Sequence, residues 1–386
     1  MPIINQIVSG GGPAEPYREL EVSGVILQPN RTTTRMIPLT GVTSVYKYVL
    51  AYAYYFNTGI SGPVDLSNLH MVGESSFNGT FFGCPNITSA DISGVTEVST
   101  TQYNAFRNAF EDSGITSINM SGLTTVSGSS VCYRVCADCL SLTTINYSGL
   151  TTVTGGNAFY EGFEGDTALT AVAMDNLTSV TSGSDCFYRT FHLCTNIVTA
   201  SMKKLTTITS TRGFMGTFEG CSSLITFKFC SLSRVDAMNT MQNMFKGCTS
   251  LESLWFYALG SNAFGNTWTN QLSGLLSGCS NVTVHFTMAA QSNIGSWTSV
   301  TGGLGGTNTT VLFDIVTSLT GADTNTYTRS EKDSTSTATA WKYNDTLYYT
   351  SGVSNNTAGA NEPSVGDTIY SDDACTTAVT TVSAIA

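Results

Sequence analysis

The sequence predicts an α/β repeat solenoid, a stacked coil with short parallel strands on one side and short helices on the other. The first observation behind this is a frame that recurs eight times, clearest in Phe214-x3-Phe218-x2-Cys221-x2-Leu224-x2-Phe227-x-Phe229-x2-Leu232-x2-Val235. Its copies start at Phe77, Phe106, Cys132, Phe159, Phe187, Phe214, Met241 and, degraded, at Leu272, with spacings of 29, 26, 27, 28, 27, 27 and 31 residues. A fixed period in that range marks a solenoid. The second is strand-like alternation inside each copy, as in Ile118 and Met120, Ile145 and Tyr147, Val172 and Met174, Phe227 and Phe229, and Leu254 and Phe256. The third is a turn dipeptide after each strand, such as Ser93-Gly94, Ser121-Gly122, Ser148-Gly149 or Asp175-Asn176, where Gly or Asn tolerates positive φ.

Residues 1–24, with Gly10 to Pro13, read as an N-terminal arm without a core of its own. The solenoid with its N-terminal cap occupies 25–288. Within each copy, Phe-x3-Phe puts two aromatic rings on one face of a short helical turn, because residues four apart are neighbours on a helix. A strand follows, and the next Leu-x2-Val unit, as in Leu150 to Val153, packs back beneath it. Residues 289–340 form a cap and linker with a strand candidate at Val311 to Val316, and 341–386 read as a small β module. There, Trp341 to Tyr349 supplies two strands about a turn at Asn344-Asp345.

The stretches "FEGCSSLITF" and "FKGCTSLESL", each followed by an L-x2-[VI] unit, resemble the BspA-like subclass of leucine-rich repeats over roughly residues 60 to 288. Two weaker copies lie upstream, at Val64-x-Leu66-x2-Leu69-x2-Val72 and Ile37-x-Leu39-x2-Val42-x2-Val45. The Val64 copy, with an apolar helix over Tyr46 to Phe56, is expected to cap the exposed end. A Thr/Ser-rich spacer and the degraded copy over Leu272 to Phe286 depart from the family pattern. The resemblance implies a non-enzymatic surface adhesin.

Eleven cysteines are present, and six of them, Cys84, Cys139, Cys194, Cys221, Cys248 and Cys279, share one repeat column. Ser113 and Asp166 fill that column elsewhere, so the position asks for a small residue at a tight corner and Cys is read as buried filler. Cys132-x3-Cys136-x2-Cys139 imitates a metal motif, yet its members fall in the first ring column, the second ring column and the cysteine column. The reading is no metal and no cofactor. The three histidines, His70, His192 and His285, fall at non-core positions and are read as exposed, while Glu161, Glu164 and Asp166 are read as a solvated face. No Gly-rich phosphate loop or nucleophile elbow occurs, so no catalytic residue is assigned.

Only 11% of the residues are charged, against roughly 25% in an average soluble protein. With a net charge of -11 and one adjacent basic pair, Lys203-Lys204, nucleic acid is not an expected partner. No apolar run approaches the roughly 20 residues of a membrane span, so insertion is not expected either. Between the inward strand positions, small amides and hydroxyls give way late in the stack to Lys228, Trp255, Tyr257 and His285. Exposed aromatics beside polar donors suit glycan stacking or a protein hot spot, so these four are the candidate ligand-binding patch unless the 289–320 segment covers them.

The N-terminus lacks the features of a secretory signal, which favours delivery by particle assembly. The expected function is therefore a non-enzymatic virion-associated attachment protein, a phage fibre or decoration protein binding a host-surface glycan or protein. Its arm would contact other virion proteins, and the chain would form a homo-oligomer. The alternatives are a secreted BspA-like adhesin at the bacterial surface, and a structural scaffold without receptor binding.

Overall fold

A computed structural model describes residues 42–45, 47–259, 271–287 and 303–315, together with strand backbones at 4–7, 20–22, 25–27, 328–330, 339–343, 346–350, 368–370 and 378–381. Each coil lays one strand on a parallel sheet face. Gly62–Asp65, Ile87–Asp91, Ser117–Asn119 and Thr144–Asn146 form one block. Ala171–Ala173, Thr199–Ser201, Thr226–Phe229, Ser253–Phe256, Thr283–Thr287 and Thr310–Ile315 form the next. The Leu-x2-Val units build a second parallel sheet from Glu97–Val98, Thr125–Val126, Thr152–Val153, Ser179–Val180, Thr207–Ile208 and Arg234–Val235. The protein is a parallel-strand solenoid of about nine turns.

The helical side is the main correction. Every named element among the described residues is a strand, and the Phe-x3-Phe segments are ribbons of tight turns. One residue in four adopts the left-handed region: Asn104, Asn108 and Asp112 (φ 55, 53 and 54°), then Ser130, Arg134 and Asp138 (55, 47 and 59°), and so on from coil to coil. A left-handed residue ends an α-helix. It also turns alternate amides outward. Asn104, Phe106, Asn108, Phe110 and Asp112 donate their N–H to carbonyls of the next coil at 2.8–2.9 Å, while Arg107, Ala109 and Glu111 donate three residues back within their own coil. The helix reading failed because a four-residue turn period and an i,i+4 helical face share one spacing.

The Tyr46 to Phe56 segment, expected as a capping helix, is the first such ribbon from Lys47 onward; Tyr46 lies outside the described residues. It contains a copy of the frame that the sequence reading missed, with Leu50 and Tyr54 in the ring columns and Asn57 in the cysteine column. Tyr54 stacks on Phe81 at 5.4 Å, and Asn57 Oδ1 accepts from the amides of Gly59 and Ile60.

Because coils on this side repeat at strand spacing, the rings stack face to face. Phe159, Phe187 and Phe214 form one run, at 5.1 and 4.9 Å, and Phe163, Phe191, Phe218 and Phe245 another, at 5.7, 5.4 and 5.8 Å. A third run on the strand side joins Phe229, Phe256 and Phe286 at 4.9 Å per step. The inward alternation read from sequence holds for Ile118, Met120, Tyr147, Val172, Met174, Phe227, Phe229, Leu254 and Phe256, which are buried, while Ile145 is half-buried.

The cysteine column is buried as expected, and its chemistry is more specific than filler. The thiols of Cys84, Cys139, Cys194, Cys221, Cys248 and Cys279 donate to carbonyls of the preceding coil, at Tyr54, Phe110, Phe163, Phe191, Phe218 and Phe245, over 2.9–3.1 Å. Burial pushes the Cys84 thiol up to about 12 and that of Cys279 to about 11, so neither is a thiolate near neutral pH. Cys375 lies outside the described residues.

The Thr/Ser excess has a similar cause. The hydroxyls of Thr124, Thr151, Thr178, Thr206 and Ser233 donate to the backbone carbonyls of Thr96, Thr124, Thr151, Thr178 and Thr206, coil after coil, at 2.8–3.2 Å. On the sheet face, Asp65, Asp91, Asn119 and Asn146 accept the amide two residues on, closing the turn after each strand. Much of the polar surface is therefore spent on the coil itself.

At the N-terminal end the segment read as an arm supplies the strands Ile4–Ile7 and Leu20–Val22, which pair with each other and with Val25–Leu27 at the start of the region read as solenoid, and Ile4 pairs in parallel to Val45. In the expected 289–340 linker, Thr310–Ile315 extends the parallel sheet and Thr328–Ser330 joins an antiparallel sheet with Thr339–Tyr343, Thr346–Thr350, Thr368–Tyr370 and Ala378–Thr381. The Asn344-Asp345 turn itself lies outside the described residues.

Asp166, the acidic member of the cysteine column, is fully buried. Its Oδ1 accepts the Cys139 amide at 2.8 Å, and its Oδ2 has no protein partner. Burial, then the neighbouring Cys139, pushes its carboxyl well above the ordinary 3.8. A raised carboxyl favours the folded state only while protonated, so its contribution is present below the unfolded value and is lost as pH rises through the folded one. Asp166→Cys, the residue of neighbouring coils, should therefore raise stability by about 1–3 kcal/mol at neutral pH and by less at pH about 4, read from denaturation at both. Phe191→Ala should cost about 3–5 kcal/mol in the same measurement, whereas the exposed Leu140→Ala should stay within about 0.5 kcal/mol.

Candidate functional site

Register places the predicted patch in one file across the late strands, Lys228 beside Trp255, Trp255 beside His285 and His285 beside Leu312. The rings do converge. Trp255 lies flat on His285 at 3.4 Å and 2°, with Tyr257 parallel to Trp255 at 5.8 Å. They are not offered to solvent, however: Trp255, Tyr257 and His285 are 6%, 7% and 9% exposed, and only Lys228 is half-buried. Ring faces are spent on one another, Cys230 packs against the pair, and the sheet continues past His285 through Thr310–Ile315. The patch expected to be open is a covered cluster.

Exposed aromatics lie instead at the opposite end, on the turn side of the first coils. Tyr48, Tyr52 and Phe56 occupy successive left-handed positions of the first ribbon, so their side chains leave it at four-residue steps along one edge. They are 42%, 41% and 44% exposed, and Tyr103 nearby is 41% exposed. Their seats are made by glycine. A Cβ on Gly79 would stand 2.7 Å from the Tyr52 ring, and one on Gly83 would stand 2.3 Å from the Phe56 ring. Tyr55 and Phe82 fill in beneath, with Tyr55 stacked on Phe82 at 4.9 Å and edge-on to Tyr52 and Phe56. At the rim, Glu74 accepts from the Tyr48 hydroxyl at 2.6 Å and pairs with Lys47. Burial works against its charge, yet hydrogen bonds from Lys47, Tyr103 and Tyr48 hold the Glu74 carboxyl down to about 2. The arrangement is a ring surface on a packed, glycine-backed base with a polar edge.

Farther along the turn side, Arg134 gathers carboxylates from three coils. Its Nε donates to Glu111 at 2.8 Å, its Nη1 to Glu161 at 2.9 Å and to Glu164, and its Nη2 to Asp138 at 3.0 Å. His192 Nδ1 meets the other oxygen of Glu164 at 2.7 Å. Burial, offset in part by Arg134, raises the Glu161 carboxyl; against burial, His192 and Arg134 hold Glu164 down. Beside this network Tyr133, Tyr160 and Tyr188 stack at 4.8 and 4.6 Å, with the Arg107 guanidinium over Tyr133 at 4.2 Å. The acidic group read as a solvated face is thus an inter-coil ion network, except Asp166, which enters the core. Of the histidines read as exposed, only His70 is; its Nδ1 lies 3.2 Å from the Gly94 carbonyl oxygen.

No family model and no curated protein matches the chain. A structural neighbour is a leucine-rich repeat protein. That protein, from T. pallidum, is 17% identical over 54% of this chain and 72% of its own, with a TM-score of 0.24.

The first-coil aromatics do not stand out in the sequence because an apolar capping helix over Tyr46 to Phe56 accounts for them equally well. The signal was there in Gly79 and Gly83, one repeat on from Tyr52 and Phe56, since small residues in those columns leave room for rings above.

Arg134→Met should leave Glu111, Glu161 and Glu164 facing one another without their shared cation. Discounted for their partial exposure, the expected loss is about 1–3 kcal/mol at neutral pH, shrinking as the carboxylates protonate toward pH about 4. Denaturation midpoints at the two pH values would check it, and an equal loss at both would contradict the electrostatic account.

Proposed function

We propose that this chain is a non-enzymatic attachment protein, carried on a virion as a fibre or decoration protein, that grips a host-surface glycan or protein through the aromatic surface of its first coil. The observation that supports this reading is the surface itself: Tyr52 and Phe56 hold rings toward solvent over Gly79 and Gly83, with the exposed Tyr48 and, from a later coil, Tyr103 at the Glu74 edge. Aromatic anchors on a rigid base bind at low entropic cost, and their faces suit the apolar faces of sugar rings. With 11% charged residues, the rest of the chain offers little nonspecific electrostatic attraction.

A purely structural scaffold is the second reading, and the hydroxyl ladders favour it. Thr124, Thr151, Thr178 and Thr206 use their side chains to join coils, which is what a spacer requires. A secreted adhesin would use the same aromatic surface from a different anchor.

The test is binding of the purified chain to a glycan array and to bacterial cells, beside Tyr52→Ala and Phe56→Ala. We expect at least about a tenfold loss for each variant, with thermal stability little changed. Binding to nothing but itself would leave only the scaffold, and unaltered binding by both variants would move the surface elsewhere. Mass spectrometry of purified particles from the source culture addresses the virion: absence of the chain there would leave the adhesin.

A further inference from the structure

Among the described residues, the sheet face is interrupted once between neighbouring coils of the solenoid. Thr144–Asn146 and Ala171–Ala173 stand next to each other in the stack, but they belong to different sheets and no hydrogen bond joins them. The preceding and following pairs are laddered, Thr144 on Ser117 and Ala171 on Thr199. Side chains close the two ends of the gap: Asp166 Oδ1 takes the Cys139 amide, and the Asn176 amide donates to the Ser148 carbonyl at 2.7 Å. Among the described residues, no backbone hydrogen bond crosses between the two strands. Ile145, on the inward side of the first strand, is half-buried, whereas Ile118 and Val172 on either side are buried.

The packing beneath explains the gap. Cys132 and Cys136 place thiols in the two columns where neighbouring coils carry Phe106 and Phe159, and Phe110 and Phe163. The space is filled from the strand side by Tyr147, which replaces the methionine of adjacent coils, Met120 and Met174. Its ring stands perpendicular to Phe163, at 5.7 Å and 90°, and edge-on to Phe159 at 6.4 Å. Elsewhere coils approach through face-to-face rings at about one strand spacing; here an edge is driven between them.

The two coils that flank the seam each hold a buried polar atom without a protein partner, Tyr147 Oη in one and Asp166 Oδ2 in the other. Buried backbone and side-chain polar groups are almost always satisfied, by water where protein does not do it. The second parallel sheet shows the alternative. Where Met71–Val72 and Glu97–Val98 do not ladder, the Gln102 side chain fills in, donating to the Val72 carbonyl at 2.6 Å and accepting the Ser99 amide.

We propose that the seam between Thr144–Asn146 and Ala171–Ala173 is a hydration site, in which water bonds the facing backbone groups and reaches Tyr147 Oη and the Asp166 carboxyl below. Ligand and entrance are thus defined together: the occupant is water, admitted from the sheet face between two adjacent strands that do not ladder. This is independent of what the protein binds outside.

Hydrogen exchange of the full chain, resolved by residue, tests it. The amides of Ala171 and Ala173 should exchange at least about tenfold faster than those of Thr144 and Asn146 or Thr199 and Ser201, which occupy equivalent positions in laddered strands. A high-resolution crystal structure should show ordered water within hydrogen-bonding distance of both Tyr147 Oη and the Asp166 carboxyl. Equal protection across the three strands, or direct strand pairing over a dry Tyr147, would overturn the proposal. The variant Cys132→Phe, Cys136→Phe, Tyr147→Met, which copies the neighbouring coils, should slow exchange at Ala171 and Ala173 to the level of the flanking strands. Fast exchange persisting in a folded variant would contradict the wedge, and the two measurements on the unaltered chain decide the matter if the variant does not fold.

Discussion

Backbone hydrogen bonding between successive coils, on the turn side as well as on the two sheets, is the constraint from which the rest of this structure follows. A solenoid with α-helices on one side must reconcile a helix spacing of about 8–10 Å with a strand spacing of about 4.8 Å. Here the mismatch does not arise, because a left-handed residue at every fourth position of the ribbon sends alternate amides to the next coil. Both sides then repeat at one spacing. Phenylalanines in register come to lie face to face, thiols in register reach the carbonyl one coil back, and threonine hydroxyls do the same at the corners.

That constraint also sorts the cysteines and carboxylates. A buried thiol that donates to a carbonyl is a structural part, and at Cys84 burial also raises the thiol's protonation range out of that of a thiolate nucleophile. Arg134 can reach Glu111, Glu161 and Glu164 only because equivalent positions of three coils stack within the length of a side chain. Among the described residues, Asp166 is the acidic group that the register leaves with no exposure at all.

Much of this was legible in the sequence, and the limits have physical causes. The period, the inward alternation and the cysteine column could be read because each is an apolar pattern imposed by burial. The ribbon was misread because Phe-x3-Phe satisfies a helix and a chain of four-residue turns equally well. The discriminating signal was the polar frame around it, Asn104-x3-Asn108-x3-Asp112 or Asn239-x3-Asn243-x3-Gly247, residues that tolerate positive φ at the same interval. Trp255, Tyr257 and His285 were correctly placed on one face, but exposure is a property of neighbours, and alternation within a strand cannot report the strand that continues the sheet. The aromatic surface of the first coil went unseen for the converse reason. Its rings sit on glycines one repeat away, a relation between coils and not within one.

The left-handed residue at every fourth position of the turn ribbons is the claim on which the account stands, and backbone chemical shifts across residues 104–112 and 130–138 measure it most directly. The account predicts left-handed values at Asn104, Asn108, Asp112, Ser130, Arg134 and Asp138, separated by right-handed or extended neighbours. Uninterrupted α-helical shifts through either segment would contradict it.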